Sequence, residues 1–247
     1  MVEAMHVALS QLAHRPWPIP PLRWTWRQSW RDLVFMHWPV PVSTLRGHLP
    51  PKLELQEFDG TAWLGVVPFR MAGVMRRPLP DMPWVSAFPE LNVRTYVSVG
   101  GKPGVWFLSL DAESRLAVWA ARRYFHLPYY FAEMSLSREK DGIRYRSRRE
   151  GAAFQATYRP TSQPWLSRPG SLEHWLTERY CLYAAAPDGS LWRNDVHHGP
   201  WPLQSAVAHI ERNTFADLHG MPIREPPALL HFAKRLDVIV WNAQRVA

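Results

Sequence analysis

The chain has one cysteine in 247 residues, Cys181. No internal disulfide can form, and no thiolate cluster exists to hold zinc. Lysine is nearly as scarce: Lys52, Lys102, Lys140 and Lys234 stand against 25 arginines. Glycines number 13 where prolines number 24. Proline at twice its usual share breaks helices and speaks against a simple helix bundle. Apolar runs such as Leu64–Phe69 fall far short of the ~20 residues a membrane helix needs. Met1–Pro16 carries no continuous apolar segment and does not read as a signal peptide, so a cytoplasmic location is expected. There is no G-x-S-x-G, no P-loop, no G-x-G-x-x-G and no HExxH. Hydrolase elbows and nucleotide cradles therefore lack support. His197 and His198 are adjacent, and neighbours on a strand point to opposite faces, so they do not readily share a metal. Neither a metal site nor a cofactor is expected.

Apolar residues make up 47% and charged residues 20%, which excludes a disordered chain. The length suits one domain, read here as residues 1–247 with 1–23 an extended arm. Within that arm, Arg15–Trp24 (RPWPIPPLRW) is rich in proline and should be extended. Net charge is +8. Arginine suits planar pairing with carboxylates and phosphates, so nucleic acid is a partner to weigh. The densest basic run, Arg138 to Arg149, is interrupted by Glu139 and Asp141 and flanked by Glu150. It reads as a solvated strand or as a phosphate-tracking surface. No groove-reading motif accompanies it, so sequence-specific nucleic-acid binding is not expected.

Turn signals divide the chain into strands. Trp26–Leu33 reads as a strand or a short helix, and Thr61–Phe69 as a strand after the Asp59-Gly60 turn. Met71–Pro89 has no clear period and several prolines, which predicts a long loop. Gly100-Gly101, Glu150-Gly151 and Asp188-Gly189 predict hairpins. Asp111 is a credible N-cap for a helix from Ala112 to about Phe125, and Ser171 for a helix through about residue 182. Leu230–Trp241 reads as a final strand. Strands outnumber helices, and the rhythm suggests a closed or sandwiched β architecture.

The clearest strand is Glu90–Val99. Leu91, Val93, Thr95, Val97 and Val99 share one face by the two-residue period, and Glu90, Asn92, Arg94 and Tyr96 share the other. An acid, an amide, a guanidinium and a phenol on one face fit either an ordinary wet surface or the wall of a cavity. His126 with Tyr129 and Tyr130, around Pro128, forms a second candidate, although core packing is the more frequent explanation for such residues. His37 before Trp38-Pro39 is a third.

Several blocks carry a resemblance: HWPV (His37–Val40), LPPKLEL (Leu49–Leu55), AWLGVVPFRM (Ala62–Met71), FPELNVRTYV (Phe88–Val97), PGVWFLSLDA (Pro103–Ala112), LPYYFAEM (Leu127–Met134) and GPWPLQ (Gly199–Gln204). Together they resemble the YqjF-like bacterial family, grouped with the acetoacetate decarboxylase-like fold. The resemblance implies a mainly β fold with some α: an antiparallel barrel or cone with a few peripheral helices around an internal pocket. In the decarboxylase that pocket holds a Schiff-base lysine beside a second lysine, with a glutamate and an arginine. The resemblance places Glu90 at the glutamate position and Arg31 at the arginine position. After Pro128, where the lysine pair would stand, this chain has Tyr129-Tyr130. A tyrosine cannot form an iminium, so decarboxylase activity does not follow.

The expected catalytic set is thus Glu90, Arg31, Tyr129 and Tyr130. Asn92, Arg94, Tyr96, His126 and His37 are expected to bind ligand. The expected partner is a small anionic or carbonyl-containing molecule, bound by an enzyme without Schiff-base chemistry or by a non-catalytic sensor. A basic nucleic-acid binder is the less favoured alternative. A homo-oligomer is compatible with the sequence.

Overall fold

The computed structural model describes residues 6–79 and 86–247. Fourteen strands follow in chain order: β1 Trp26–Val40, β2 Glu54–Leu55, β3 Ala62–Arg76, β4 Phe88–Val99, β5 Lys102–Ala112, β6 Tyr129–Phe131, β7 Glu133–Glu139, β8 Gly142–Arg149, β9 Ala152–Pro160, β10 Cys181–Ala185, β11 Leu191–His198, β12 Gln204–Asn213, β13 Leu229–Val240 and β14 Gln244–Arg245. The helices are α1 Val42–Arg46, α2 Arg115–Phe125 and α3 Leu172–Thr177.

One path of pairing runs β11-β10-β5-β4-β3-β1-β13, and β11 also pairs with β13. Those seven strands therefore close into a ring, which removes their free edges. Most neighbours are antiparallel, but β5 runs parallel to both β10 and β6. Beyond β13 the sheet continues through β12, β9, β8 and β7. This extension folds over the outside of the ring. Val34, Met36, Leu64, Val66, Leu91 and Val93 form one apolar cluster with Tyr145, Phe154 and Tyr158 of the extension. Two buried phenols tie the layers: Tyr145 donates to the Glu90 carbonyl at 2.7 Å and Tyr158 to the Asp32 carbonyl at 2.8 Å.

The alternation in β4 does what its sequence implies. Its Leu91 and Val93 side chains enter the interlayer cluster, and Glu90, Asn92 and Arg94 turn into the ring. In β1 the alternation breaks. Asp32 has φ of 52°, and the β1–β3 register shifts between Arg31 and Met36. Such a bulge inserts a residue and flips the parity of side chains beyond it. Trp26, Gln28 and Trp30 face inward before it, and Leu33 faces inward after it.

Three expectations are corrected. The loop expected over Met71–Pro89 starts later, because β3 runs on to Arg76, paired with Trp26–Trp30 of β1. Gly73, at φ of 59°, absorbs the bend there; residues 80–85 of that segment lie outside the described residues. Asp111 does not cap α2. It belongs to β5 and pairs with Arg149, while Ser114 takes the cap by accepting from the Ala117 amide. The second helix stops at Thr177 rather than near residue 182, and Cys181 already opens β10. Glu178 leaves helical geometry at ψ of 72°, and its carboxylate accepts from the Trp201 amide and the Tyr180 hydroxyl.

Of the N-terminal segment, residues 6–23 are described. They include a single 3-10 turn, Val7–Ser10, with Ala8 buried against Trp24, Ile239 and Trp241. Arg15 is buried too, donating to the Val196 carbonyl at 2.7 Å.

Candidate functional site

The ring encloses a cavity of about 190 Å³, more than ten times the roughly 10–15 Å³ that a single water needs. Every strand of the ring lines it, and α2 closes one side with Ala117, Ala121 and Phe125.

Its polar groups fall into two zones along β4. Two side-chain steps separate Glu90 from Arg94, roughly 13 Å along the strand, with Asn92 between them. At one end Tyr129 donates to Glu90 Oε2 at 2.9 Å. Burial pushes the Glu90 carboxyl up to about 8, against the lowering by the Tyr129 hydrogen bond; the nearby Asp111 raises it further. Glu90 is therefore mostly a neutral acid at pH 7. Tyr129 is held well above the usual phenol value, by burial first and then by Glu90.

At the other end are two guanidiniums, Arg94 and Arg179, 9% and 8% exposed. They flank the Tyr96 ring at 5.7 Å and 5.0 Å. Arg94 rests on Phe35 at 5.0 Å and donates to Tyr96 Oη at 3.5 Å, while its Nε has no partner. Arg179 donates to the Trp175 carbonyl and to Gln56, and its Nη2 has no partner. Neither pairs with a carboxylate among the described residues. Burial lowers Arg179 to about 10, and Arg94 adds to the lowering against the opposing effect of Tyr96. Arg179 therefore remains charged at pH 7.

More groups at the lining lack hydrogen-bond partners: both amide atoms of Asn194, Asn92 Oδ1, and the indole N–H groups of Trp30 and Trp201. Buried polar atoms are normally satisfied, so this concentration marks a place shaped for something else to supply partners.

The structure brings together Glu90, Asn92, Arg94 and Tyr129 at the cavity. Tyr96 and His37 lie behind Arg94, fully buried, with His37 Nε2 2.6 Å from Tyr96 Oη. Burial, Arg94 and His231 hold His37 well below its usual value. Arg31 does not line the cavity. Preceding the bulge at Asp32 by one residue, it takes the opposite parity to Trp30 and sits in register with Arg70 and Arg235. Tyr130, one residue past Tyr129, points the other way, 38% exposed, with the Arg149 guanidinium 4.3 Å from its ring. His126 ends α2 in the left-handed conformation and packs on Trp192 at 5.3 Å, outside the cavity.

Sequence reasoning missed Arg179 and Asn194. Neither belongs to a period that names it; a strongly polar residue inside the strand LWRNDVHH was the available signal for Asn194. His198 was considered only for metal. It lines the cavity, with Nδ1 2.7 Å from the Gly199 carbonyl, and burial lowers its basicity. No cluster of metal-binding side chains occurs among the described residues. None of the four lysines lines the cavity. In the basic run, Arg138 pairs with Asp32, Arg144 with Glu211 and Arg149 with Asp111. No helix among the described residues is long and apolar enough to cross a membrane.

The model of the DUF2071 family, an uncharacterized conserved protein (COG2071), matches residues 27–237. The chain is 48% identical over 230 residues to the uncharacterized protein YqjF of Bacillus subtilis (strain 168), covering 92% of this chain and 95% of that one. Among solved structures it is similar to an acetoacetate decarboxylase-like enzyme from Sphingomonas wittichii RW1, at TM-score 0.66 and 14% identity over 92% and 94% of the two chains. It is also similar to the acetoacetate decarboxylase of Legionella pneumophila, at TM-score 0.63 and 16% identity over 100% and 98%. The enduracididine biosynthesis enzyme MppR, solved with pyruvate, gives TM-score 0.63 at 14% identity over 95% and 93%. These likenesses establish an acetoacetate decarboxylase-like fold.

Proposed function

The chain belongs to the DUF2071 family, and we propose that its ring is a binding site for a small organic acid carrying a carbonyl group. Arg94 and Arg179 take the carboxylate through paired, charge-assisted hydrogen bonds. Glu90, kept neutral by burial and oriented by Tyr129, donates to a carbonyl oxygen that lies several carbons along the ligand from the carboxylate, as the distance between the two zones requires. The observation that carries this reading is the pair of buried guanidiniums with free donors and no carboxylate partner. Two uncompensated interior charges are costly unless an anion joins them.

A carboxyl poised near 8 gives and retakes a proton near neutral pH, which suits lyase- or hydratase-like proton transfer. Schiff-base chemistry is outside the proposal, because Tyr129 and Tyr130 follow Pro128 and neither is an amine. The reading takes the chain as a single cytoplasmic domain. A non-catalytic sensor is the second reading, favoured by the Tyr129 hydrogen bond that already occupies one Glu90 oxygen.

The test is proton exchange in D₂O, followed by NMR, at the carbon beside the carbonyl in a panel of 4-oxo to 8-oxo acids, with 2-oxo and 3-oxo acids as controls too short to reach both zones. An enzyme should speed exchange for at least one acid, and Glu90→Gln should lower that rate about 10²–10⁴-fold. Binding without exchange turns the reading to a sensor. No binding by any acid removes the site.

A further inference from the structure

Resting on the reading of the ring as an organic-acid site, we propose that its ligand is a monocarboxylate joined to an apolar body of about six or more carbons. Twenty of the thirty lining residues are apolar. They include Trp30, Phe69, Phe88, Phe107 and Phe125. The charged groups that bind an anion sit at one end only, where Arg94 and Arg179 share the Tyr96 ring.

A short polar acid would satisfy the guanidiniums and leave the aromatic wall against water. An acid with an apolar body covers both, since removing apolar surface from water is favourable in proportion to its area. The far zone argues against a second negative charge. Glu90 is a neutral acid buried beside Tyr129, and the Asp111 charge on the other side of the sheet already raises it. A second carboxylate there would meet a group that resists ionising, with no free guanidinium to receive it. A neutral oxygen on the ligand, by contrast, can accept from Glu90. Ligand sites with one anchoring charge and a mostly apolar wall select by shape and length along the wall.

The experiment is calorimetric titration with acetate, butanoate, hexanoate and octanoate, with pyruvate, suberate and 1-octanol alongside. Affinity should rise about fourfold per added methylene until the cavity is filled. Suberate and octanol should each bind at least tenfold more weakly than octanoate. Phe69→Ala, checked for folding by thermal melts, should weaken octanoate binding by a larger factor than pyruvate binding. Arg94→Met and Arg179→Met, checked for folding by thermal melts, should weaken every acid and leave octanol unchanged. A flat series, or pyruvate or suberate binding as tightly as octanoate, overturns the assignment of the apolar body while the acid site stands. Octanol matching octanoate, or acids indifferent to both arginine variants, overturns the acid site itself and this inference with it.

Discussion

Tyr129 holds Glu90 by one hydrogen bond of 2.9 Å, and the two residues come from elements far apart in sequence. Glu90 lies in β4, whereas Tyr129 opens β6, which adds in parallel to β5 directly after α2. The phenol donates to the carboxyl oxygen whether or not Glu90 is protonated. The second oxygen is left for the cavity. This fixes the side chain in one orientation without supplying the positive charge that would keep it ionised.

The first prediction follows from that environment. Glu90 has its ordinary value of 4.5 in the unfolded chain and about 8 in the fold. Between these values the native state holds more protons, so its stability falls as pH rises. The contribution is full below pH 4.5 and lost on passing through about 8. Glu90→Gln keeps an acceptor for Tyr129 and cannot ionise. At pH 5 the variant should match the wild type. At pH 9 it should be more stable by a few kcal/mol, since each pH unit between the two values is worth about 1.4 kcal/mol. Urea denaturation at pH 5, 7 and 9 measures the difference. Asp111, pushed up to about 6 mainly by burial, acts in the same direction but is common to both proteins. A wild type that gains on the variant with rising pH would show Glu90 ionised in the fold.

Arg94 leads to a less usual expectation. Read from sequence, a buried arginine should have a firm partner, and its removal should destabilise. The structure gives it only a 3.5 Å hydrogen bond to Tyr96 and ring contacts, with Arg179 as a like-charged neighbour. Replacing an unpaired buried charge by an apolar side chain of similar length is often neutral or stabilising. Arg94→Met should therefore melt at or above the wild-type temperature without ligand. It should also lose about 10–150-fold in acid binding, the range for one charge-assisted hydrogen bond. A melting temperature lowered by several degrees would show that Arg94 supports the fold.

Borohydride with acetoacetate should leave no covalent adduct on this protein. Iminium formation needs an amine at the ligand. None of the four lysines reaches the cavity lining, and the position after Pro128 holds two phenols. Intact-mass spectrometry after reduction checks this. A reduced adduct on any lysine would falsify the reading of the site.

How much of this was legible in the sequence depends on the kind of signal. The face of β4 was readable because a strand with one apolar and one polar face has a fixed period, and three of its four polar residues indeed line the cavity. Tyr96 shares that face but lies too deep, closed over by Arg94 and Arg179. Arg31 was placed by the resemblance alone; Trp26, Gln28 and Trp30 of the same stretch of β1 face the cavity, and alternation turns Arg31 the other way. Arg179 and Asn194 were invisible for a global reason. They reach the cavity only because β10 runs beside β5 and β11 closes onto β13, and ring closure is a property of pairing between distant segments. The resemblance supplied the barrel-like fold that periodicity alone left open between closed and sandwiched.

Gly65 provides the last prediction, because it sits in register with Arg94 across β3 and β4. A Cβ there would lie 3.2 Å from His37 Cδ2 and 3.3 Å from Arg94 Cγ. Those contacts are tight but not prohibitive, so Gly65→Ala should fold, with a destabilisation of about 1 kcal/mol, at the low end for overpacking. The side chain with room to yield is Arg94, whose guanidinium faces the cavity, since His37 is fully buried and held by Tyr96. Displacing it should stretch the 3.5 Å contact with Tyr96 beyond hydrogen-bonding reach and weaken hexanoate binding about tenfold. A double-mutant cycle separates this route from general damage. In the Arg94→Met background, Gly65→Ala should cause little further loss of binding. Equal losses in the two backgrounds would mean that Gly65 acts on the cavity by some path other than Arg94.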